Sequence, residues 1–431
     1  MVSATGWRRD REGLGVWEHR GKVAIVGWGQ SHMDRRWDGV TMDRSCGGLS
    51  KEACLKAIAD AGLSLADIDG LITSAETRSE QTWAPRPYFD PPYDTEDGLI
   101  KASAEWIQRE VGFKNAKYLV SDAPYIGPMM GQAAQAVGDG LCETALVWYP
   151  MVNLSGRYGH ASPPNVRQEA AGPNAYTLPW GYQSGAMFNN LVTFLQYCER
   201  YGKSHDGLAP LCLNLRRNGL LTPWGYYSTY EPYQLTTEDY LNGRIIEEPL
   251  VVYDCDRPVN TCAAFIFTTA ERAKDLRQKP VYVLNHAQTT QRGRSTMATL
   301  TEHQEAAASL ARRMWEGSGL GPADIDIFNP YDGYLTFTQQ FLEAFQWHGV
   351  KLGEAHDFYA GDIRVEGPHP FLSSGGNNGT GRNRAVLYAD CLQQLRGTAG
   401  ARQVTVRAET ALAGCNTPDS NGFIMFSKYP S

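Results

Sequence analysis

Two stretches of the chain repeat one pattern of apolar and polar positions. Lys22–Ser31 reads KVAIVGWGQS and Pro280–Thr289 reads PVYVLNHAQT. Each holds an apolar run with the composition of a buried strand. A helix-period segment follows each, Leu49–Ala61 in one copy and His303–Glu316 in the other. Then come Gly-Leu and the tetrapeptide ADID, at Ala66–Asp69 and Ala323–Asp326, each before a second apolar run. The ADID copies stand 257 residues apart and the strand runs 258 apart. So constant an offset predicts a duplicated β-α-β unit. A helical crossover joins strands that run parallel, so two similar α/β layers are expected, with a site where they face each other. In the second copy the strand Ile325–Asn329 runs into Pro330-Tyr331-Asp332-Gly333-Tyr334. Ligands in open α/β sheets gather at the carboxyl ends of strands. That places Tyr331 and Tyr334 where chemistry would sit.

Between the copies the pattern is less regular. Thr77–Asp97, rich in Pro, Trp and Tyr, reads as a surface excursion. Leu99–Val111 has helical period, and Lys117–Ser121 and Ala145–Tyr149 read as strands. Ser121–Ala136 (SDAPYIGPMMGQAAQA) predicts a strand end, a tight turn and a helix of small residues. The N-terminus of such a helix points N–H groups at whatever lies above it. A nucleophile elbow has this form. Here the turn holds Ala123, Pro124 and Tyr125, none of them a good covalent nucleophile. Met151–Tyr240 is aromatic and Gly/Pro-rich around one helix, Gly185–Tyr201. It reads as an insertion that shapes a substrate pocket, or as a structural or dimer-contact excursion. Thr237–Asn242 starts a helix with a capping-type Thr, and Pro249–Asp254 is strand-like. Gly375–Gly381 (GGNNGTG) reads as a turn leading into the helix Arg384–Leu395. Val404–Arg407 reads as a strand, and Ala411–Gly422 as a loop before the final strand Phe423–Ser427. The expected division is 1–150 and 245–275 for the first half, 151–244 for the insertion, and 276–431 for the second half.

Composition narrows the function classes. A net charge of −7 gives no reason to expect nucleic acid. No apolar run reaches 18 residues, so no membrane span is expected, and the charged N-terminal stretch lacks the apolar core of a signal peptide. The nine cysteines are scattered and form no CxxC pair, which suits a reducing cytoplasm and argues against a zinc site. Gly27 and Gly29 are only a fragment of a dinucleotide fingerprint. His160 and His205 stand alone and read as structural.

Four motifs carry a family resemblance: Ile245–Ala264 (IIEEPLVVYDCDRPVNTCAA), Tyr331–Tyr334 (YDGY), Ser374–Arg382 (SGGNNGTGR) and Gln394–Val404 (QLRGTAGARQV). In these the chain resembles the thiolase superfamily, specifically the lipid-transfer-protein branch related to sterol-carrier thiolases. The resemblance spans nearly the whole chain. It implies an α/β fold with a duplicated core in five layers, α-β-α-β-α, and an inserted loop domain. It also exposes departures. Ala123 occupies the position of the thiolase nucleophilic Cys. Tyr331-Asp332-Gly333-Tyr334 aligns with the Asn-Glu-Ala-Phe box, and Arg382 with the His of the Gly-His-Pro box. The late catalytic Cys falls at Asn416, or at Cys415 with a loop one residue different. Without a thiol at 123 no acyl-cysteine can form there.

The resemblance then implies retro-aldol cleavage of a 3-hydroxyacyl-CoA, as in steroid side-chain degradation, with a ketone and propionyl-CoA or another short acyl-CoA as products. Tyr331 is the expected base, with Tyr334 or Tyr388 as acid. An unperturbed phenol, pKa about 10, needs a nearby cation to ionise, and Arg382 is the candidate. Asp332 would orient a tyrosine or cap a turn. His369, in GPHPF, is a further acid–base or oxyanion candidate. Ala123, Gly375, Gly376, Asn377 and Asn416 are expected to line the acyl-CoA site. No tightly bound cofactor and no metal are expected; CoA arrives with the substrate. The branch also implies a homodimer that joins a small OB-fold, zinc-containing partner as a heterotetramer. The competing readings are a non-catalytic acyl-CoA or sterol carrier and an acyltransferase using Cys415.

Overall fold

Nine strands form one mixed sheet in the order β3-β2-β4-β7-β1-β8-β11-β10-β9. They are β1 (Val23–Gln30), β2 (Gly70–Thr73), β3 (Tyr118–Val120), β4 (Thr144–Met151), β7 (Thr261–Thr269), β8 (Val281–Gln288), β9 (Ile327–Asn329), β10 (Thr410–Cys415) and β11 (Gly422–Ser427). A separate short hairpin joins β5 (Ile245–Glu247) to β6 (Leu250–Val251). This computed structural model describes residues 13–74, 98–99, 101–153, 156, 186–289 and 299–431. Thr77–Asp97 and His160 lie outside the described residues.

The duplication is visible in the pairing. β1 and β8 meet antiparallel at Ala24↔Tyr282 and Ile25↔Val281. On one side of that seam β7 lies antiparallel to β1 and β4, and β4 lies parallel to β2. On the other side β11 lies antiparallel to β8 and β10, and β10 lies parallel to β9. β3 adds one more strand to the first half. The repeated β-α-β unit therefore joins parallel strands that are not neighbours, since two strands stand between them.

The repeated tetrapeptide has one job in both halves. The Asp69 carboxylate accepts from the amides of Glu143 (2.8 Å) and Thr144 (2.7 Å), where β4 begins. The Asp326 carboxylate accepts from the amides of Glu409 (2.8 Å) and Thr410 (3.1 Å), where β10 begins. Each aspartate ties the strand after the crossover to the strand that will pair beside it.

Among the described residues seven helices have eleven residues or more: α1 (Cys46–Ala61), α2 (Ile126–Gly138), α3 (Ala186–Tyr201), α4 (Ala209–Leu220), α5 (Leu300–Ser318), α6 (Leu335–Phe345) and α7 (Val386–Arg396). α1 and α5 are the repeated helices, and both stop at the repeated glycine, Gly62 and Gly319. α1 covers β1, β4 and β7 from outside. α2 packs against β4 and β7 on one side and β8 and β11 on the other. β8 separates the next two layers. A Cβ on Gly131 of α2 would lie 2.7 Å from the His286 ring, whereas the neighbouring Asn285 amide donates to carbonyls of α5. The layers thus alternate α-β-α-β-α.

Some local expectations change. Thr410–Cys415 is a strand and Val404–Arg407 is not. The small residues of TALAGC fit a strand closed in on both faces: a Cβ on Gly414 would meet the Phe423 ring at 2.3 Å. Thr236, one residue earlier than expected, caps the helix Thr237–Leu241. Leu99–Val111 holds only a short helix from Ala104 that widens into a π-turn. In the insertion a second helix, α4, braces the glycine-rich loop. Asn214 and Asn218 donate to the carbonyls of Phe371 and Leu372, and Thr222 to Ser374.

Replacing either tetrapeptide aspartate, Asp69→Ala or Asp326→Ala, is expected to cost about 1–3 kcal/mol by leaving strand-end amides without an acceptor. Urea unfolding of both variants checks this; a loss in one and none in the other would contradict the shared role.

Candidate functional site

The carboxyl ends of β9 and β10, parallel neighbours, open onto one place. Tyr331 follows β9 and is 2% exposed; Cys415 ends β10 and is fully buried. Thr338 of α6 donates to the Tyr331 carbonyl and holds the turn. Gly333 is needed for close approach. A Cβ there would fall 2.2 Å from the Tyr331 hydroxyl and 2.6 Å from Asp256 Oδ2, so phenol and carboxylate share that space. The Asp256 amide donates to the Gly333 carbonyl (2.9 Å), and Cys255 bridges to Tyr334.

A guanidinium closes the other side. Arg384 sits 5.8 Å above the Tyr331 ring centroid, and its Nη1 donates to the Tyr149 hydroxyl at 3.4 Å. Its backbone is turned inward, with φ +49, and its amide donates to Asn377 Oδ1. Arg382, the expected cation, anchors its amide on the Arg257 carbonyl (2.7 Å); its charge also reaches Tyr331, Tyr334 and Cys415.

The electrostatics run against a standing phenolate. Burial pushes the Tyr331 hydroxyl well above its ordinary pKa, and Asp256 adds to the rise; Arg384 and Arg382 only oppose it. Burial likewise raises Tyr334. The Cys415 thiol is pushed up to about 12, again by burial first. Burial opposes the Arg384 charge, yet its surroundings hold it on balance.

Asp332 does not face the reacting space. Its carboxylate accepts from the Asn377 amide (2.9 Å), the Asn377 side chain (2.8 Å) and the Asn378 amide (2.9 Å). Gly376, at φ +59, could not carry a side chain, since its Cβ would lie 2.0 Å from Asp332 Oδ2. Gly375, Gly376 and Asn377 thus build the loop rather than present free donors. Burial, helped by Asp256, pushes the Asp332 carboxyl up to about 7 against its hydrogen bonds.

The turn before α2 reaches the same place. Ala123 is buried, its amide bonded to the Thr73 carbonyl (3.2 Å). Tyr125 donates to the Ser420 carbonyl (2.6 Å), with Asn416 also at its hydroxyl; burial raises it to about 12. Asn416 has φ +93 and accepts from the Asn421 amide on its carbonyl. Tyr388 is fully buried, and its hydroxyl is committed to the Gly422 carbonyl at 3.3 Å.

His369 is a correction. It is exposed and packs 4.3 Å from the His348 ring. Trp347, beside His348, donates to the Ile325 carbonyl, so this cluster stands at the start of β9, the end away from Tyr331. The residues missed by sequence reasoning are Arg384, Asp256, Tyr125 and Tyr149. A signal existed for two of them: Arg-Asn-Arg offers a second cation at 384, and Asp256 lies inside the Ile245–Ala264 motif.

Among the described residues no His, Cys, Asp and Glu cluster could hold a metal, and no helix is long and apolar enough to cross a membrane. All nine cysteines are free.

Residues 287–421 match the family described as thiolase C-terminal domain-like. Over 406 residues the chain is 29% identical to 17-hydroxy-3-oxo-4-pregnene-20-carboxyl-CoA lyase of Mycobacterium tuberculosis, covering 91% of this chain and 97% of that protein. It is 26% identical over 415 residues to the steroid side-chain-cleaving aldolase of Thermomonospora curvata, covering 93% and 97%. Its fold matches the solved Ltp2-ChsH2(DUF35) aldolase with a TM-score of 0.75 at 24% identity over 95% of this chain and 98% of that one. It also matches human mitochondrial 3-ketoacyl-CoA thiolase, TM-score 0.64 at 11% identity, covering 96% and 100%.

Asp332 is easier to protonate folded than unfolded, where its pKa is near 3.8. Its stabilising contribution is therefore full below that range and is withdrawn as pH rises through about 7. Asp332→Asn is expected to flatten the pH dependence of the urea midpoint between pH 4 and 7. An unaltered profile would contradict the assignment.

Proposed function

Because the chain is a member of the thiolase-like superfamily, we propose that it is a carbon–carbon lyase that cleaves a 3-hydroxyacyl-CoA by a retro-aldol step. The substrate is a steroid side-chain CoA thioester, and the products are a ketone and propionyl-CoA or another short acyl-CoA. The observation that carries this reading is the placement of the Tyr331 hydroxyl and the Asp256 carboxylate around one space at Gly333, with Arg384 over the phenol ring, in a site with alanine at 123.

A neutral phenol can still serve as the base if its own proton has somewhere to go. Tyr331 takes the β-hydroxyl proton as it passes its own to the Asp256 carboxylate. The Cα–Cβ bond breaks, its electron pair becomes the thioester enolate, and the former hydroxyl carbon leaves as a ketone. The proton then returns through Tyr331, or from Tyr334, to Cα. Arg384, with Arg382 behind it, offsets the charge on the enolate oxygen. Developing charge in a water-poor site is where a fixed cation contributes most. Tyr388, already bonded to Gly422, lines the site instead. CoA arrives with the substrate, and no resident cofactor enters these steps.

The Cys415 transferase reading is weaker, because a thiol raised to about 12 has almost no thiolate at neutral pH. Within the insertion, α4 stiffens the glycine-rich loop. β3 is an edge strand with half-buried residues, which supports pairing of two copies. The solved Ltp2-ChsH2(DUF35) aldolase names two components, which supports a second protein here; the family resemblance implies that it is a small OB-fold, zinc-containing protein in a heterotetramer. The cytoplasm is the compartment this assembly fits.

Tyr331→Phe is expected to lower kcat for ketone release about 10²–10⁴-fold with little change in KM; rates equal to wild type would rule out the assignment. Cys415→Ser is expected to leave ketone release within a few-fold of wild type. Loss of turnover in that variant, with the fold intact by circular dichroism, would favour the transferase.

A further inference from the structure

One turn beyond Phe337 along α6, two buried polar side chains, His303 and Gln340, have no close partner except each other. His303, on α5, is fully buried, and Gln340 is 1% exposed. The two side chains face each other, and Asp419 stands 3.8 Å from His303 Nε2, beyond hydrogen-bond reach. Native structures rarely leave such an atom unsatisfied, and two side chains that have only each other still leave polar atoms for an occupant. Burial keeps the imidazole neutral, so the pair offers N–H donors and acceptors but no charge.

This spot adjoins the site through packed rings. The Phe337 ring lies 5.5 Å from the His303 ring and 5.9 Å from the Tyr334 ring, so an aromatic strip joins them. Tyr334, Phe337 and Gln340 are three apart on one helix face. Six residues of helix put Gln340 about 9 Å from Tyr334 along the axis. The turn that carries Asp419 also carries Ser420, which holds Tyr125. The spot is therefore bounded by α5, α6 and the loop that lines the site.

We propose that His303 and Gln340 form a distal polar subsite that receives an uncharged oxygen, a ketone or hydroxyl, at the end of a bulky ring-bearing acyl group remote from its thioester. This rests on the acyl-CoA reading above and names the part of the substrate that the acid–base groups do not touch. A fused-ring acyl group is long enough to reach from Tyr334 to this pair while its apolar body lies along Phe337. The name of the Mycobacterium tuberculosis relative carries a 3-oxo group and a 20-carboxyl-CoA on one molecule, which is this pattern of groups. A neutral donor suits such an oxygen, whereas a charged one would lose more on desolvation.

The test uses two fused-ring acyl-CoA thioesters that lack the β-hydroxyl and so cannot be cleaved. They differ only in a ring ketone at the far end. Calorimetric titration of the wild type is expected to show about 5- to 10-fold tighter binding of the ketone. His303→Leu and Gln340→Leu should each bring that ratio to about one while leaving affinity for the ketone-free thioester within about twofold. Two variants are used so that a folding defect in one, seen by thermal melting, does not decide the matter. Equal binding of both thioesters by the wild type would overturn this inference alone and leave the pair as a seat for internal water. An undiminished preference in both variants would overturn it too. Binding of neither thioester would overturn it together with the acyl-CoA reading.

Discussion

The carboxylate of Asp332 holds the site in shape. It stands between Tyr331 and Gly333 at the end of β9, wholly buried, and accepts three hydrogen bonds from Asn377 and Asn378. These bonds draw the glycine-rich loop against the strand end, and Gly376 lets the loop come that close. Asn377 passes the constraint on, since its Oδ1 takes the Arg384 amide. Arg384 is thereby set over the Tyr331 ring. One carboxyl group, taken up by the glycine-rich loop, sets phenol against guanidinium. α4 closes the loop from behind: a Cβ on Gly375 would meet Gly219 at 2.3 Å, so the packing there is backbone on backbone.

The same burial that builds this arrangement decides its chemistry. It suppresses charge on Tyr331 and on Cys415 and leaves both protonated near neutrality. A thiol in that state is a poor nucleophile. The Asp256 carboxylate borders the same space as the Tyr331 hydroxyl at Gly333.

The architecture was legible where a residue has the same task twice. ADID recurs because Asp69 and Asp326 each catch the amides at the start of a strand. Burial of β10 was not legible, because Ala-Leu-Ala-Gly-Cys lacks the branched residues that mark a strand, while Val404–Arg407 has them without pairing. Tyr331 was legible from its place after a strand. Arg384 was not, since linear alignment points at Arg382, while the contacts of Arg384 with the Tyr331 ring and the Tyr149 hydroxyl join residues far apart in sequence. Asp332 was visible as a residue but its purpose was not, because its partners lie 45 residues away. His369 misled for the converse reason: it is close to the glycine loop in sequence and at the far end of β9 in space.

The central claim is that carbon–carbon cleavage here proceeds with no bond between enzyme and acyl group. Intact-protein mass spectrometry of the enzyme, quenched in acid during steady turnover of a 3-hydroxyacyl-CoA, tests it most directly. The account predicts ketone and shorter acyl-CoA in equal amounts and a protein of unmodified mass. An acyl adduct on Cys415, formed and lost at the rate of turnover, would contradict it.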